Sequence, residues 1–209
     1  SPNRVLDVVN ALGAYVVVLQ EADKRLGDRP TSLPRALIAS ETDFDVVEIA
    51  DAGRSIGWHG NAVLLRKGLR AREVQTIDLP GLEPRGAVKV RLDNGLSVVA
   101  THLGLLRQSR RAQLSVLCDK TADDTHVVIA GDFNEWSPSK GFEPLSLRFT
   151  THSPGRSFHA RRPIAGLDRF SLTAGVRLHD AGVDQSALAR IASDHLPIWS
   201  DVEVLAPIC

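Results

Sequence analysis

Short apolar runs that each end in polar residues are the feature that most constrains the fold of this chain. Tyr15–Leu19 is an uninterrupted run of this kind that ends in Gln20 and Glu21, and Val127–Ala130 leads directly into Gly131-Asp132-Phe133-Asn134. Such short β-branched runs are typical of strands that are buried on both faces of a sheet. We therefore predict an α/β core whose strands carry polar groups at their ends.

Helix and turn signals separate these runs. Ser1-Pro2 is a typical helix start and Gly13 a typical stop, and Gln108–Cys118 has apolar residues at helical spacing. Asp93-Asn94-Gly95 predicts a tight hairpin turn. Residues 137–166 are rich in Pro, Gly, Ser and Arg and are predicted to be mostly loop, and the last strands are predicted at 167–173 and 196–204. No repeat or linker is visible, so we expect one domain over residues 1–209.

Polar residues interrupt the apolar pattern where strands end. His102 follows Val98–Ala100, and Asp194 and His195 directly precede Leu196. Strand ends and their loops form the rim at which α/β proteins bind ligands, and carboxylate and amide oxygens suit Mg²⁺. Each signal has a simpler explanation, because the Gly-Asp-Phe-Asn segment also fits a turn and a lone histidine is more often structural. Together, in this order, the signals favour an active site.

Six segments of the chain resemble motifs of the endonuclease/exonuclease/phosphatase superfamily of metal-dependent phosphohydrolases. In chain order they are Leu19-Gln20-Glu21, Gly60-Asn61-Ala62-Val63, Thr101-His102-Leu103, Gly131-Asp132-Phe133-Asn134, Leu167-Asp168-Arg169 and Ser193-Asp194-His195-Leu196-Pro197. The fourth and sixth are the most specific. The resemblance implies an α/β (α+β) fold, a four-layer α/β/β/α sandwich of two packed mixed sheets that are flanked by helices.

The resemblance also implies roles for individual residues. Glu21 is the expected principal metal ligand and Asp194 a further metal-site carboxylate. Asp132 is expected to orient or deprotonate the attacking water, with Asn134 beside it. His195 is expected to contact the phosphate while Asp168 orients its ring. The resemblance also places His102 and Asn61 at the phosphate or in support of the site.

These assignments agree with the chemistry of phosphate esters. The transition state places extra negative charge on the phosphoryl oxygens, which Mg²⁺ (or Mn²⁺ in its place), an imidazolium and an amide can stabilise. A carboxylate that reaches water contributes about 10²–10⁴-fold as a general base. No serine or cysteine stands in a nucleophile motif. We therefore expect water to attack phosphorus directly.

The beginning of the chain departs from the family pattern. Members of the superfamily usually open with a strand that carries an asparagine near the metal, whereas this sequence opens at the helix and contains no methionine. We expect that a segment is missing from the sequence, because an inner strand without its neighbour would leave an exposed edge.

The sequence constrains the identity of the substrate less than it constrains the type of bond that is hydrolysed. Arg107, Arg161 and Arg162 are candidates for substrate binding because guanidinium groups suit phosphate oxygens, although a solvated basic surface fits them equally well. Lysine plus arginine and aspartate plus glutamate each number 25, and aromatic residues make up 5% of the chain. Nucleic acid is therefore possible as a partner but is not favoured.

Three functions consequently stay open. The favoured one is hydrolysis of a small phosphodiester, a phospholipid headgroup or a phosphate monoester. The alternatives are a DNA endonuclease or exonuclease and a binding domain of the same fold without turnover. No protein partner is predicted.

The compartment is predicted from what the sequence lacks. It contains no apolar run long enough to span a membrane and no recognisable signal peptide. Cys118 and Cys209 lack the spacing of a metal or redox motif, and free thiols in a reducing cytosol are favoured over a disulfide. We therefore expect a cytoplasmic protein.

Overall fold

The computed structural model describes residues 1–23, 31–50, 53 and 55–206, in which helices and strands alternate. The strands are β1 (Val16–Leu19), β2 (Phe44–Val46), β3 (Ala62–Arg66), β4 (Ala71–Leu79), β5 (Arg85–Leu92), β6 (Ser97–His102), β7 (Val127–Asp132), β8 (Phe149–His152), β9 (Asp168–Thr173), β10 (Val176–Val183) and β11 (Ile198–Val204). The helices are α1 (Pro2–Leu12), α2 (Arg35–Glu41), α3 (Arg107–Lys120) and α4 (Ala189–Ala192), and Glu143–Leu145 forms a 3₁₀ turn.

The largest sheet has six strands in the order β4-β5-β6-β7-β9-β8. It is mixed, because β6 and β7 run parallel while its other neighbours are antiparallel. Two smaller antiparallel sheets have the orders β1-β3-β2 and β10-β11. The register of the large sheet places His102 opposite Asp132 and Asp132 opposite Asp168.

Alternation along the strands produces the layers. Val63 and Leu65 of β3 pack between the sheets, whereas Ala62 and Leu64 pack under α1 and α2. On β7, Val128 and Ala130 face the layer between the sheets while Val127 and Ile129 pack against α3. This period of two buries both faces of the inner strands β3, β6, β7 and β9. The predicted four-layer α/β/β/α fold is therefore confirmed, with one difference, that the second β layer is divided between two antiparallel sheets.

The predicted helix and hairpin signals are confirmed. Helix α1 begins after Ser1 and ends at Gly13, whose φ of 62° is the left-handed conformation that glycine adopts at low cost. In the β5–β6 hairpin, the backbone N–H of Leu96 donates to Oδ1 of Asn94 at 3.1 Å. Local turn chemistry thus sets the register that brings the end of β6 to the site.

Three expectations about secondary structure were wrong in detail. Strand β8 lies within the segment predicted as loop, since it is a short edge strand with only Phe149 buried. Strand β10 was missed because His179 and Asp180 interrupt its apolar pattern and its pairing is irregular between Leu178 and Asp180. Strand β1 is only partly buried, since it lies at the edge of its sheet.

Strand directions bring the polar residues to one edge of the large sheet. Strands β6 and β7 end there, and β5 and β9 begin there because they are antiparallel to those neighbours. We call the edge that carries Arg85, His102, Asp132 and Asp168 the polar edge.

Two observations bear on the features from which the compartment was predicted. In the described part of the chain, no helix combines the length and the apolar character that crossing a bilayer requires. Cys118 is a free thiol, as expected, whereas Cys209 lies outside the described residues. The cytoplasmic location itself stays a prediction.

Candidate active site

Asp132 is the last residue of β7, and the glycine before it is required by the backbone. Gly131 has a φ of 143°, and a Cβ at this position would lie 1.9 Å from the carbonyl oxygen of Thr101 on β6. Any other residue would push β7 away from its parallel neighbour. The Gly-Asp pair therefore lets Asp132 leave the sheet directly beside β6.

Asn134 fixes the orientation of Asp132. Its backbone N–H donates to Oδ1 of Asp132 at 2.7 Å, and its side-chain amide donates to the carbonyl oxygen of Leu103 at 2.8 Å. Asn134 has a φ of 50°, in the left-handed region that asparagine tolerates better than most residues. The Asp-Phe-Asn turn thus leaves Oδ2 of Asp132 available to face the solvent side of the edge.

His195 and Asp168 form the second half of the cluster. Nδ1 of His195 lies 2.8 Å from Oδ2 of Asp168, and the hydroxyl of Ser157 donates to the same carboxylate oxygen. Nε2 of His195 lies 3.9 Å from Oδ2 of Asp132. Because Nδ1–H of His195 donates to Asp168, the imidazole presents Nε2 toward Asp132.

Backbone pairing holds His195 against the segment 155–160. The N–H of Leu196 donates to the carbonyl of Ser157 at 2.8 Å, and the N–H of Ala160 donates to that of Asp194 at 2.7 Å. The ring centroid of Phe158 lies 4.9 Å from that of His195. The position of His195 therefore depends on packing and backbone bonds as well as on its ion pair.

His102 lies on the other side of Asp132. Its Nε2 is 3.4 Å from Oδ2 of Asp132, and the residue is buried at the end of β6. Two imidazoles thus flank one carboxylate, and the structure brings together His102, Asp132, Asn134, Asp168 and His195 as predicted from the sequence.

The environment changes the acidity of both central groups. Burial raises the pKa of Asp132 from 3.8 to about 6, and the charge of Asp168 adds to this, against the opposing effects of His195, the Asn134 N–H and Arg85. Burial lowers the pKa of His195, but the hydrogen bond and charge of Asp168, with the charges of Asp132 and Asp194, outweigh it and raise that pKa from 6.5 to about 9. Near neutral pH the pair is therefore an imidazolium and a carboxylate that is easily protonated.

The structure places the predicted metal ligands, Glu21 and Asp194, in exposed positions next to this cluster. Glu21 follows β1 with a φ of 54°, and the neighbouring Ala22 N–H donates to the carbonyl of Gly60 at 2.9 Å. The side chain of Gln20 reaches Gly131, since its Nε2 is 3.1 Å from the point where a Cβ of that glycine would lie. The end of β1 therefore meets the end of β7.

The donors fit a hard divalent cation in kind. In the described ranges, no group of three or more His, Cys, Asp or Glu side chains is arranged so that it could hold a metal ion by itself. Mg²⁺ is often held by only one or two carboxylates and completed by water and substrate phosphate. Glu21 and Asp194 are two exposed carboxylates of this kind, and Oδ1 of Asn61 is a buried acceptor with no partner among the residues described.

Asn61 supports the site through buried hydrogen bonds to the backbone. It is fully buried, and its side-chain amide donates to the carbonyl oxygens of Gly86 at 2.9 Å and Trp58 at 3.2 Å. These bonds tie the loop that precedes β3 to the start of β5. Of the two roles predicted for Asn61, the contacts favour support, and its contact with substrate stays a prediction.

The predicted substrate-binding arginines have different surroundings. Arg107 makes a two-point ion pair with Glu135, with Nε to Oε2 at 3.0 Å and Nη2 to Oε1 at 2.7 Å. Arg161 and Arg162 are exposed in the loop before β9. The structure therefore gives Arg107 a protein partner and leaves the two loop arginines facing solvent, and a binding role for all three stays a prediction.

Some residues at the site were missed from the sequence. Arg85 lowers the pKa of Asp132 from the start of β5, and buried Ser157 holds Asp168. Glu135 binds Arg107 and Arg110 immediately after the Gly-Asp-Phe-Asn segment. None of these positions has a local sequence pattern that distinguishes it, although an acidic residue so close to Asn134 is a signal that could have been weighed.

Comparison with known proteins gives a consistent result. The sequence profile of the Endonuclease/Exonuclease/phosphatase family matches residues 1–195. The uncharacterized protein YbhP of Escherichia coli (strain K12) is 30% identical over 221 residues, which cover 95% of this chain and 87% of YbhP.

Two solved structures share the fold. An endonuclease/exonuclease/phosphatase from Bacteroides vulgatus superposes with a TM-score of 0.74 at 17% identity, covering 97% of this chain and 90% of that one. The mannosyl-6-phosphatase Bt3783 of Bacteroides thetaiotaomicron VPI-5482 superposes with a TM-score of 0.73 at 12% identity, with the same coverage of both chains. At these identities the likeness concerns the fold alone.

Proposed function

The chain belongs to the endonuclease/exonuclease/phosphatase family, whose members hydrolyse phosphoesters, and on this premise we propose that it is a Mg²⁺-dependent phosphodiesterase. The observation that carries the proposal is the arrangement of Asp132 and His195, with Oδ2 of the first 3.9 Å from Nε2 of the second. A carboxylate base beside an imidazolium is what attack by water on a phosphate ester requires.

Asp132 is the proposed general base. With a pKa of about 6 it is largely ionised near neutral pH and still basic enough to accept a proton from water. Asn134 holds one carboxylate oxygen through its backbone N–H and leaves Oδ2 for the water. The remaining N–H of the Asn134 amide is a donor for a phosphoryl oxygen.

His195 is the proposed contact for the phosphoryl group. Its pKa of about 9 keeps the ring cationic near neutral pH, and Asp168 prevents it from rotating. A fixed cation stabilises the negative charge that develops on the phosphoryl oxygens. His102, on the opposite side of Asp132, is placed to contact the phosphate or to hold the base in position.

Glu21 and Asp194 are the residues that would hold Mg²⁺, or Mn²⁺ in its place. When bound, the ion would neutralise charge on the phosphate and orient it. The support for this proposal is the donor chemistry and the place of the two residues: both carboxylates are exposed, Glu21 follows β1, whose end meets the end of β7, and Asp194 directly precedes His195.

Water is proposed to attack directly, with inversion at phosphorus. None of the predicted site residues is a serine or cysteine nucleophile. Isolation of a phosphorylated form of the protein after turnover would contradict this step.

A small phosphodiester, a phospholipid headgroup or a phosphate monoester is favoured over DNA as the substrate. Positive and negative side chains are balanced at 25 each, whereas affinity for a nucleic-acid backbone depends largely on basic groups. The fold is shared with a mannosyl-6-phosphatase, which shows only that this architecture accommodates a phosphate monoester in another protein.

The test is hydrolysis of bis(4-nitrophenyl) phosphate and of plasmid DNA side by side, with Mg²⁺ and with chelator. We expect metal-dependent turnover of the small ester that His195→Ala abolishes. His179→Ala is the matched control, since that histidine lies on β10 and pairs with exposed Glu203 at 3.0 Å, and it is expected to keep activity. Nicking of the plasmid that needs both metal and His195 would instead favour a nuclease.

Inactivity on both substrates would favour the third possibility, a binding domain. In that case the wild-type protein would bind a phosphate ester tightly without converting it, and no turnover would exist for Asp132→Ala to abolish.

A further inference from the structure

Exposed apolar side chains are concentrated around the polar edge. In the described part of the chain, ten large apolar side chains are substantially exposed. Five of them lie in the loops that leave or enter this edge, and a sixth lies in α4, which leads into His195. We call these six the apolar rim: Leu82, Leu105, Leu106, Trp136, Ile164 and Ile191. Single exposed apolar residues are ordinary, whereas a concentration around one site marks an interaction surface.

Strand connections place three of the rim residues together. Leu82, which is 89% exposed, lies in the loop between β4 and β5. This loop meets the start of α3, because Gln113 donates to the carbonyl of Pro80 at 2.8 Å. Leu105 and Leu106 connect His102 to the same end of α3.

The other three rim residues adjoin His195. Trp136 is 60% exposed, and its ring centroid lies 6.2 Å from that of Phe158, which packs on His195. The backbone N–H of Ile164 donates to the carbonyl of Phe158 at 2.7 Å. Ile191 lies in α4, which leads into Asp194 and His195.

The charge of the adjoining loop is one-sided. Residues 153–167 contain Arg156, Arg161 and Arg162 and no aspartate or glutamate, and all three arginines are exposed. The nearby Glu83 pairs with Arg85 at 2.7 Å. Apolar side chains beside unneutralised guanidinium groups match the surface of an anionic bilayer, in which phosphate groups overlie acyl chains.

We infer that the apolar rim and the 153–167 loop dock this protein onto the surface of an anionic phospholipid bilayer. The inference rests on the proposed function, because docking there presents the headgroup phosphates to Asp132 and His195. It narrows the substrate class to phosphate esters that lie at a membrane surface.

Two other occupants explain the surface less well. Nucleic acid would be read by stacking, but five of the six rim side chains are aliphatic and cannot stack on bases. A permanently bound protein would cover the apolar rim and thereby close the site that it surrounds. A bilayer covers the same side chains and supplies the substrate.

The opposite edge of the molecule provides a matched control. Leu147 is 97% exposed, and it precedes β8, whose first residue pairs with the last residue of β9, at the far end from Asp168. It is as apolar and as exposed as Leu82 but lies away from the polar edge. A bilayer that docks at the rim does not contact it.

The experiment is sedimentation of the protein with vesicles, in chelator so that no turnover occurs. We expect wild-type protein to bind vesicles of phosphatidylcholine and phosphatidylglycerol. The double variant Leu82→Ser/Leu106→Ser is expected to bind at least about tenfold more weakly, and Leu147→Ser as well as wild type. Arg161→Gln and Arg162→Gln are each expected to weaken binding about fivefold, and only when phosphatidylglycerol is present.

A second readout is the tryptophan fluorescence of the protein. Vesicles are expected to shift tryptophan emission to shorter wavelength, and Trp136→Phe is expected to remove most of the shift, although Trp58 and Trp199 remain. Absence of vesicle binding, equal binding by the Leu82/Leu106 and Leu147 variants, or preference for a DNA fragment over these vesicles would overturn the inference. Because binding is measured without turnover, vesicle binding with no hydrolysis of any ester would contradict the proposed function and leave the docking surface standing.

Discussion

Asp132 and Glu135 are both buried carboxylates, only three residues apart, yet their surroundings differ in kind. Glu135 accepts hydrogen bonds from Arg107 at 2.7 and 3.0 Å, from Arg110 at 2.8 Å and from the backbone N–H of Ser137 at 2.9 Å. Asp132 accepts one backbone N–H, from Asn134, and faces two imidazoles at 3.4 and 3.9 Å.

The acidities follow from these donors. Burial alone would raise the pKa of Glu135, but its hydrogen bonds to Arg107, Arg110 and Ser137 lower that pKa to about 2. Burial raises the pKa of Asp132 to about 6, because fewer donors compensate for lost water. The comparison shows how one short segment supplies both a structural anchor and a base: the arginines outweigh burial at Glu135, whereas burial and the charge of Asp168 dominate at Asp132.

The largest expected effect comes from removing the base. Asp132→Asn is expected to lower the turnover of a phosphodiester by about 10²–10⁴-fold, because the amide cannot accept a proton from water. Its stability is expected to move the other way. A carboxylate whose folded pKa is raised from 3.8 to about 6 costs stability once the pH exceeds those values.

Thermal unfolding checks the second part of this prediction. At about pH 8 the Asp132→Asn variant is expected to be as stable as wild type or more so, whereas at about pH 4 the advantage is expected to disappear. If the variant retains turnover, or unfolds more readily than wild type at the higher pH, Asp132 has a structural role like that of Glu135 and is not the general base.

Glu135→Ala is expected to act on stability in the opposite direction. It leaves buried Arg110 without its carboxylate, and the free energy of unfolding is expected to fall by about 3–5 kcal/mol. A depressed pKa contributes stability that is complete above 4.5 and is lost as the pH falls toward about 2. The difference between wild type and variant is therefore expected to shrink over that window.

Urea denaturation at neutral and acid pH measures this difference, and Glu143→Ala is the matched control. Glu143 is an exposed acidic residue that reaches Arg111 only at 3.7 Å, and its removal is expected to change the midpoint little. If both variants lose the same stability, Glu135 is not the anchor described above.

A smaller effect is expected from Asp168→Asn. The asparagine oxygen can still accept a hydrogen bond from Nδ1–H of His195, but the negative charge that raises the pKa of that histidine to about 9 is gone. The pKa of His195 is then expected to fall toward 6.5, and turnover at about pH 8 to fall about tenfold. NMR titration of the imidazole in the metal-free protein measures the pKa of His195. If that pKa is the same in the variant as in wild type, groups other than Asp168 raise it.

The sequence was most informative where residues have strong local preferences. The β-branched runs, the Asn-Gly turn and Gly13 predicted the strands, the hairpin and the end of α1 that the structure contains. His102 and Asp132 were predictable because they lie where β6 and β7 end and strand ends share an edge, whereas Asp168 was predicted only from the resemblance to a family motif. Strand β10, whose apolar pattern is interrupted by His179 and Asp180, was not predictable, since its pairing with β11 comes from tertiary context and its register is irregular.

The partners of the arginines were also not predictable from the sequence. Nothing in the local sequence distinguishes Arg107 from Arg161. In the structure, however, Arg107 on α3 reaches Glu135, whereas Arg161 in the loop before β9 is exposed. The distinction depends on how two elements approach each other in space. The apolar rim was likewise invisible in the sequence, because its six members are scattered along the chain and resemble ordinary core residues.

The most direct test of the Asp132–His195 assignment is the pH dependence of kcat/KM for a soluble phosphodiester at saturating metal. We expect a bell, in which activity rises as Asp132 ionises near its pKa of about 6 and falls as His195 loses its proton near its pKa of about 9. A profile without an acid limb would mean that Asp132 is not the base. A profile without an alkaline limb would mean that the charge of His195 is not used.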